Sequence, residues 1–399
     1  MEGNKKINIK NIIIMCGAFI SYTVGAGFAS GNEVLQFFGS WGDKSVIAVS
    51  AGLIVTAIYC VCLCLVGRCI DLKKQSDIYI YFGGKGLGRL FQLTVFIFLM
   101  GNVIMMFSGA GSLLQQQWGF PQWVGAALMG IVAAVIVIGG LNTVESVLGN
   151  AGIIILIYVV IFGIISVIQP GASLGQAAGA EEAVKAGKIF QANVWAVPPF
   201  SIIPGLSELN TSWLEGIIYG SVCLVSGFPF YLSLGRRCSK HEAPIAGIAV
   251  AVSFYLCVSV SLVMMLLNFN ALTNPLTEEM YAIPVLAVIN SMWPSGSWTY
   301  VLIIFTGIFT SEAGYLWAVN DMFFKGKEKT LKSRGFVVGL IIFGVFFGSR
   351  IPLSMFFQYL HPFTGMIGFL MVVSILVKTI KVMKEHKLGK EMKGAEIGC

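Results

Sequence analysis

Ten apolar stretches follow one another along this chain of 399 residues, each close to the ~20 residues that a helix needs to cross a bilayer. They lie roughly at 11–39, 44–68, 88–116, 121–140, 150–169, 213–238, 243–268, 296–324, 334–350 and 356–381. No single soluble core can hide so much apolar surface. The composition agrees: 56% of residues are hydrophobic and 11% charged, where soluble domains average about 25% charged. The expected fold is an all-α polytopic membrane protein. Segment 276–292 is apolar too, but Glu278 and Glu279 cap it and Pro284 interrupts it, so it reads as a helix lying in a loop.

Charge orients the spans. With the amino terminus inside, 22 of the 26 Lys and Arg residues fall on the inner side, and only Lys44, Lys185, Lys188 and Arg350 stay outside. Cytoplasmic loops carry such an excess, so both termini are expected in the cytoplasm. The net charge of +7 belongs to these clusters. No basic stripe interleaved with aromatics suggests a nucleic-acid partner. Nine cysteines are spread over spans and loops. Cys60, Cys62 and Cys64 point in different directions on a helix, which makes a poor metal site, and the cysteines read as small packing residues.

Two spans contain residues that weaken helices at membrane depth. The first runs through SYTVGAGFASGNE, residues 21–33, with Gly25, Gly27 and Gly31 close together. The sixth contains Ser226-Gly227-Phe228-Pro229, where proline lacks an amide hydrogen and clashes with the preceding turn. Freed backbone groups in a bilayer need protein, water or ligand as partners. The two weak points occupy matching positions in halves of five spans each, and an odd number of spans inverts the second half. Paired interruptions in inverted halves point to a midplane binding site in a secondary transporter. The expected organisation is one transmembrane domain: a first repeat at about 7–169, a loop at 170–212, a second repeat at about 213–381, and a tail at 382–399.

The run GAGFASGNEVLQFF resembles the YkvI-like family of bacterial membrane proteins. More distantly it resembles the first helix of the amino acid–polyamine–organocation superfamily, which has the leucine-transporter fold. That resemblance implies ten helices in two inverted repeats with spans 1 and 6 interrupted. It implies that the amides of Gly25, Ala26 and Gly27 face an anionic substrate group, with Ser226, Gly227 and Phe228 opposite and Asn102 of span three alongside. It also implies a sodium site made by Ser21 and Val24 of span one with Gly307, Thr310 and Ser311 of span eight. Related sequences often carry Asn near the position of Cys223, and this chain departs from them there.

Glu33 and Glu312 lie inside spans, where ionisable groups are costly and usually functional. Glu33 could line the outer vestibule, bind an amine or carry a proton. Glu312 follows Thr310-Ser311 and could add charge to the ion site or carry a proton. Glu208 and Glu215 read as a solvated rim. His361 reads as a loop residue, and Met105 and Met106 as packing. No HExxH, phosphate loop or nucleophile–base set is present, so an enzyme is not expected, nor any cofactor beyond a coupling ion. A channel would need a continuous polar lining that these spans lack. The expected function is sodium-coupled symport of a small polar organic solute (an amino acid, related zwitterion or amine) by alternating access. The alternatives are a proton-coupled transporter or exchanger and a non-transporting structural membrane protein.

Overall fold

The computed structural model describes residues 7–69, 75–139, 157–236, 238–324, 327 and 330–392. Its helices are α1 (Ile9–Thr23), α2 (Ala26–Ser30), α3 (Asn32–Phe37), α4 (Ser45–Gly67), α5 (Gln75–Trp118), α6 (Gln122–Gly139) and α7 (Ile157–Ile168). There follow α8 (Gly179–Lys185), α9 (Ser212–Gly235), α10 (Glu242–Leu267), α11 (Pro284–Met292), α12 (Ser297–Phe324) and α13 (Leu331–Gly348). The chain ends with α14 (Leu353–Met355), a π-turn (Phe356–Leu360) and α15 (His361–Met392). Among the described residues, 7 segments are long and apolar enough to cross a membrane. Three shorter apolar helices, Ile9–Ile20, Gln122–Val135 and Ile157–Ile168, fall within expected spans one, four and five. Residues 140–156, where the fifth span is expected to begin, lie outside the described residues.

The first span is broken twice. α1 stops at Thr23, Val24 and Gly25 are extended, and α2 starts at Ala26 without a side-chain cap. Gly31 then takes φ 81°, a left-handed conformation that glycine adopts without a Cβ penalty, and α3 leaves in a new direction. The sixth span behaves differently. α9 continues through its weak point, and only Gly227 departs from helical angles, at φ −137° and ψ 23°. The rings of Tyr22 and Tyr231 pack onto Gly227, each 2.7 Å from where its Cβ would be. The expected interruption of span six is therefore a kink held by aromatic packing. Tyr231 ties the two weak points together: its hydroxyl is 2.8 Å from Thr23 Oγ1 and 3.3 Å from Ser226 Oγ.

Glycine determines the central helix pair. α4 and α9 run parallel, backbone against backbone. A Cβ on Gly216 would lie 2.0 Å from the Ala48 carbonyl oxygen, and one on Gly67 would lie 2.3 Å from that of Leu232. Lipid gives no hydrophobic drive between helices, so close approach of small residues supplies the packing. α10 packs antiparallel on α4, with Gly247 against Val61 and Gly52 against the Tyr255 hydroxyl. α5, α6, α12 and α13 form a second group, and the broken first span and α15 touch both groups. Gly216→Val is expected to destabilise the protein by at least ~1–3 kcal/mol through overpacking. Gly339 has open space around it, and Gly339→Val serves as the neutral control. Thermal unfolding of the two variants in detergent checks this.

Two other segments differ from expectation. α5 contains a bend at Gly84, with φ 67°, and the short helix before it packs Tyr79 and Phe82 against Phe228. Pro284 does not interrupt a helix; it opens α11 at the first turn, where its missing amide hydrogen is no loss.

Candidate functional site

A small cavity of about 20 Å³ lies at the break of the first span, room for a water or two or a bare ion. Thr23, Gly25, Gly27 and Glu33 line it from the first span, and Phe98, Asn102, Met105 and Met106 from α5. Val222, Cys223 and Ser226 of α9, Tyr315 of α12 and His361 of α15 complete it. Of the expected substrate residues, Gly25, Gly27, Glu33, Asn102 and Ser226 meet here. Three others do not. Ala26 packs against Gly109 of α5, at 2.9 Å from the place of its Cβ. Gly227 is covered by tyrosine rings, and Phe228 is fully buried between Tyr79 and Phe82. Phe228 is a packed core aromatic.

Glu33 changes the chemistry expected at Gly27. One carboxylate oxygen lies 2.5 Å from where a Cβ on Gly27 would be, and the Phe357 ring is equally close. The chain's own carboxylate therefore covers the backbone that was expected to face a substrate anion. Glu33 is 9% exposed and accepts a hydrogen bond from Tyr219. No Lys or Arg lines the cavity. His361 does, stacked on Phe357 at 5.0 Å, with Nδ1 buried and, among the described residues, unpartnered. A cavity with one carboxylate and neutral oxygens suits a cation or an ammonium group.

The expected ion site is partly assembled. Ser311 Oγ is 3.2 Å from the Val24 carbonyl oxygen, so a hydroxyl of α12 meets the buried C-terminal end of α1. Ser311 also faces Gly25, 3.6 Å from the place of its Cβ. Thr310 turns back on its own helix and donates to the Gly307 carbonyl at 2.9 Å. Ser21 lies in the last turn of α1, and its side chain is outside the described residues. The last carbonyls of a helix have no intrahelical partner, so this end of α1 offers acceptors to a cation.

Glu312 is fully buried, and among the described residues neither carboxylate oxygen has a partner. α5 and α12 run antiparallel: Gln117 bonds Ser297, Gly109 meets Ile308, and Phe96 meets Phe323. That register sets Glu312 level with Met105, at the depth of the cavity. An ionised carboxylate with no partner there is prohibitively costly. In this arrangement Glu312 carries its own proton or needs a cation. Glu208 is exposed as expected, whereas Glu215 is fully buried and accepts the Val194 amide at 2.9 Å.

A larger hollow of about 690 Å³ opens toward the face that carries residues 170–212. Asn32, Gln36, Gln115, Lys188 and Glu278 are among its lining residues. Asn32 and Glu33 are adjacent, yet one lines the hollow and the other the small cavity. The segment α2–α3 thus forms the wall between the two spaces. Asn32 donates to the Ala282 carbonyl at 3.1 Å, and Tyr300 donates to that of Ala29 at 2.7 Å, and these bonds hold the wall in place.

No family model matches the chain. It is 21% identical over 366 residues to the uncharacterized membrane protein YkvI of Bacillus subtilis (strain 168), covering 90% of this chain and 94% of that protein. It is 25% identical over 131 residues to the uncharacterized protein YyaD of the same organism, covering 32% and 35%. Among solved structures it is similar to Mhp1, a nucleobase-cation-symport-1 family transporter in a closed conformation with bromovinylhydantoin bound. The TM-score is 0.51 at 14% identity, covering 87% of this chain and 74% of that one. The likeness is one of fold. The chain is a multi-pass, all-α membrane protein that shares its fold with that structure.

Proposed function

We propose that this chain is a secondary active transporter of a small organic cation or zwitterion, coupled to sodium and working by alternating access. It has ten spans in two inverted repeats, at about 7–169 and 213–381, in a bacterial plasma membrane with both termini cytoplasmic. The observation that carries the reading is Glu33: a buried carboxylate set over Gly27, in a small cavity at the break of the first span. An ammonium group entering there exchanges water for Glu33 and for neutral oxygens of Thr23, Asn102, Ser226 and Tyr315. Sodium binds between the Val24 carbonyl and the Ser311 hydroxyl and steadies the break from the other side. The cavity is too small for an organic solute as it stands, so loading requires the wall α2–α3 to move, and the hollow above it is the entry route.

A second reading has its own support. The bare carboxyl of Glu312 favours a proton as the coupling ion, bound and released as the α5–α12 interface opens.

The test is a thermal-shift screen of amines, amino acids and carboxylates, with and without sodium. Stabilisation by an amine-bearing solute only when sodium is present supports the first reading, since a ligand stabilises the state that binds it. Stabilisation by carboxylates lacking an amine overturns the assignment of charge. Uptake into proteoliposomes under imposed gradients completes the test: accumulation against a gradient requires coupling, and a channel cannot produce it.

A further inference from the structure

The end of the bundle where α1 begins gathers sulfur from three elements. Cys238, in the turn after α9, has its Sγ 3.4 Å from Met15 Sδ of α1. Its thiol also pairs with that of Cys64, on the last turns of α4. The close α4–α9 packing makes this meeting possible: a Cβ on Gly235 would lie 2.9 Å from Cys64 Cα. The Cys238 amide bonds the Gly235 carbonyl at 3.1 Å, which folds the thiol back onto that contact. All three sulfurs are buried, and both cysteines are free thiols. The cysteine pattern in the sequence suggests nothing of the kind, because Cys60, Cys62 and Cys64 diverge along one helix; the second thiol comes from far along the chain.

Arg68 supplies an independent observation. Its Nη1 is buried and has no hydrogen-bond partner among the described residues, and its charge acts on Cys238. A buried guanidinium nitrogen without an acceptor, beside two thiols, fits a site that becomes anionic when loaded.

We propose that Cys64, Cys238 and Met15 form a binding site for a soft monovalent cation of the Cu(I) type. Soft thiolate and thioether ligands select such an ion. Among the described residues no three His, Cys, Asp or Glu side chains converge, which leaves zinc short of the four ligands it takes in structural sites. Metal–sulfur bonds of about 2.3 Å set two sulfurs on one ion up to about 4.6 Å apart, so Cys238 Sγ and Met15 Sδ, 3.4 Å apart, need to spread to share one. Each coordinating thiol releases its proton to solvent. Two thiolates and one Cu(I) carry a net single negative charge; Arg68 faces it, while the Glu242 carboxylate, which also acts on Cys238, is held by the Asn8 and Ser239 amides. The ion would join α1, α4 and the α9–α10 turn at one face of the membrane, where the first span must swing away if the cavity is to open on that side.

The experiment is an anaerobic titration of the purified full-length protein with Cu(I), in competition with the chromogenic chelator bicinchoninate. The wild type is expected to withdraw one Cu(I) more than Cys64→Ala or Cys238→Ala, while Cys257→Ala behaves as wild type. Met15→Leu removes a ligand and is expected to weaken the site by at least the roughly 10-fold that loss of even an outer partner costs. Thermal melts without metal show which variants are folded, and Met15→Leu carries the test should a cysteine variant fail to fold. Equal Cu(I) uptake by wild type and the folded variants overturns the proposal. So does a Cys64–Cys238 disulfide, formed with hydrogen peroxide as oxidant, in a protein that takes up no Cu(I); that result would assign a redox pair instead.

Discussion

Glu33→Gln is expected to abolish stabilisation by the amine-bearing solute and to weaken its binding by about 30-fold or more, the effect of truncating one partner of a buried, hydrogen-bonded charge pair at ~2–5 kcal/mol. The substitution keeps the shape and removes the charge. Tyr219, which donates to the carboxylate, can still donate to the amide oxygen, so the fold should survive and the apo protein should melt near the wild-type temperature. Gly27→Ala attacks the same group from below. Its Cβ would lie 2.5 Å from the Glu33 carboxylate and 2.5 Å from the Phe357 ring, so one or both must be displaced. The two variants should lose binding together while sodium alone still stabilises them. If Glu33→Gln binds the amine as tightly as wild type, Glu33 is a structural carboxylate that holds Tyr219, and the cation-binding reading is lost.

The position of the cavity was legible from local chemistry. Three glycines and a carboxylate within residues 25–33 cannot form an ordinary membrane helix, and they mark the break whatever surrounds them. Glu33 could be singled out because a charge at that depth is costly. The facing of side chains was not legible. Ala26, Gly227 and Phe228 sit next to cavity residues in sequence, yet they turn toward Gly109, two tyrosines and the Tyr79–Phe82 pair. His361 gave only a weak signal, a polar residue beside Pro362 at the start of a span, because its place depends on a π-turn that rotates α15. The close α4–α9 contact was hidden for a related reason. Single glycines are common in membrane helices, and nothing in one helix shows that Gly216 lies on Ala48 or Gly235 on Cys64. Glu215 misled in the opposite direction: its place at a helix start suggests solvent, but residues 192–196 fold over it.

Ser311→Ala and Glu312→Gln are expected to separate the two candidate coupling ions. Ser311 contributes one of the two oxygens that meet at the break, 3.2 Å from Val24 O. Alanine removes a ligand without adding bulk, so stabilisation by sodium should disappear. At a sodium concentration of about 100 Kd that stabilisation amounts to ~2.7 kcal/mol in wild type, large enough to read as a shift in melting temperature. Glu312→Gln replaces a bare carboxyl with a neutral group of the same shape. If sodium sits at Val24 and Ser311 alone, the glutamine variant keeps its sodium response and accumulates solute under a sodium gradient. If a proton on Glu312 is the coupling ion, the same variant binds solute but no longer accumulates it under a pH gradient, and Ser311→Ala transports normally. Loss of sodium stabilisation in both variants would place the Glu312 charge within the sodium site, and the ion would then be held by a carboxylate as well as by neutral oxygens. Each pattern moves a different observable, so melting temperature with and without sodium, read beside uptake under each gradient, identifies the ion that drives the wall α2–α3.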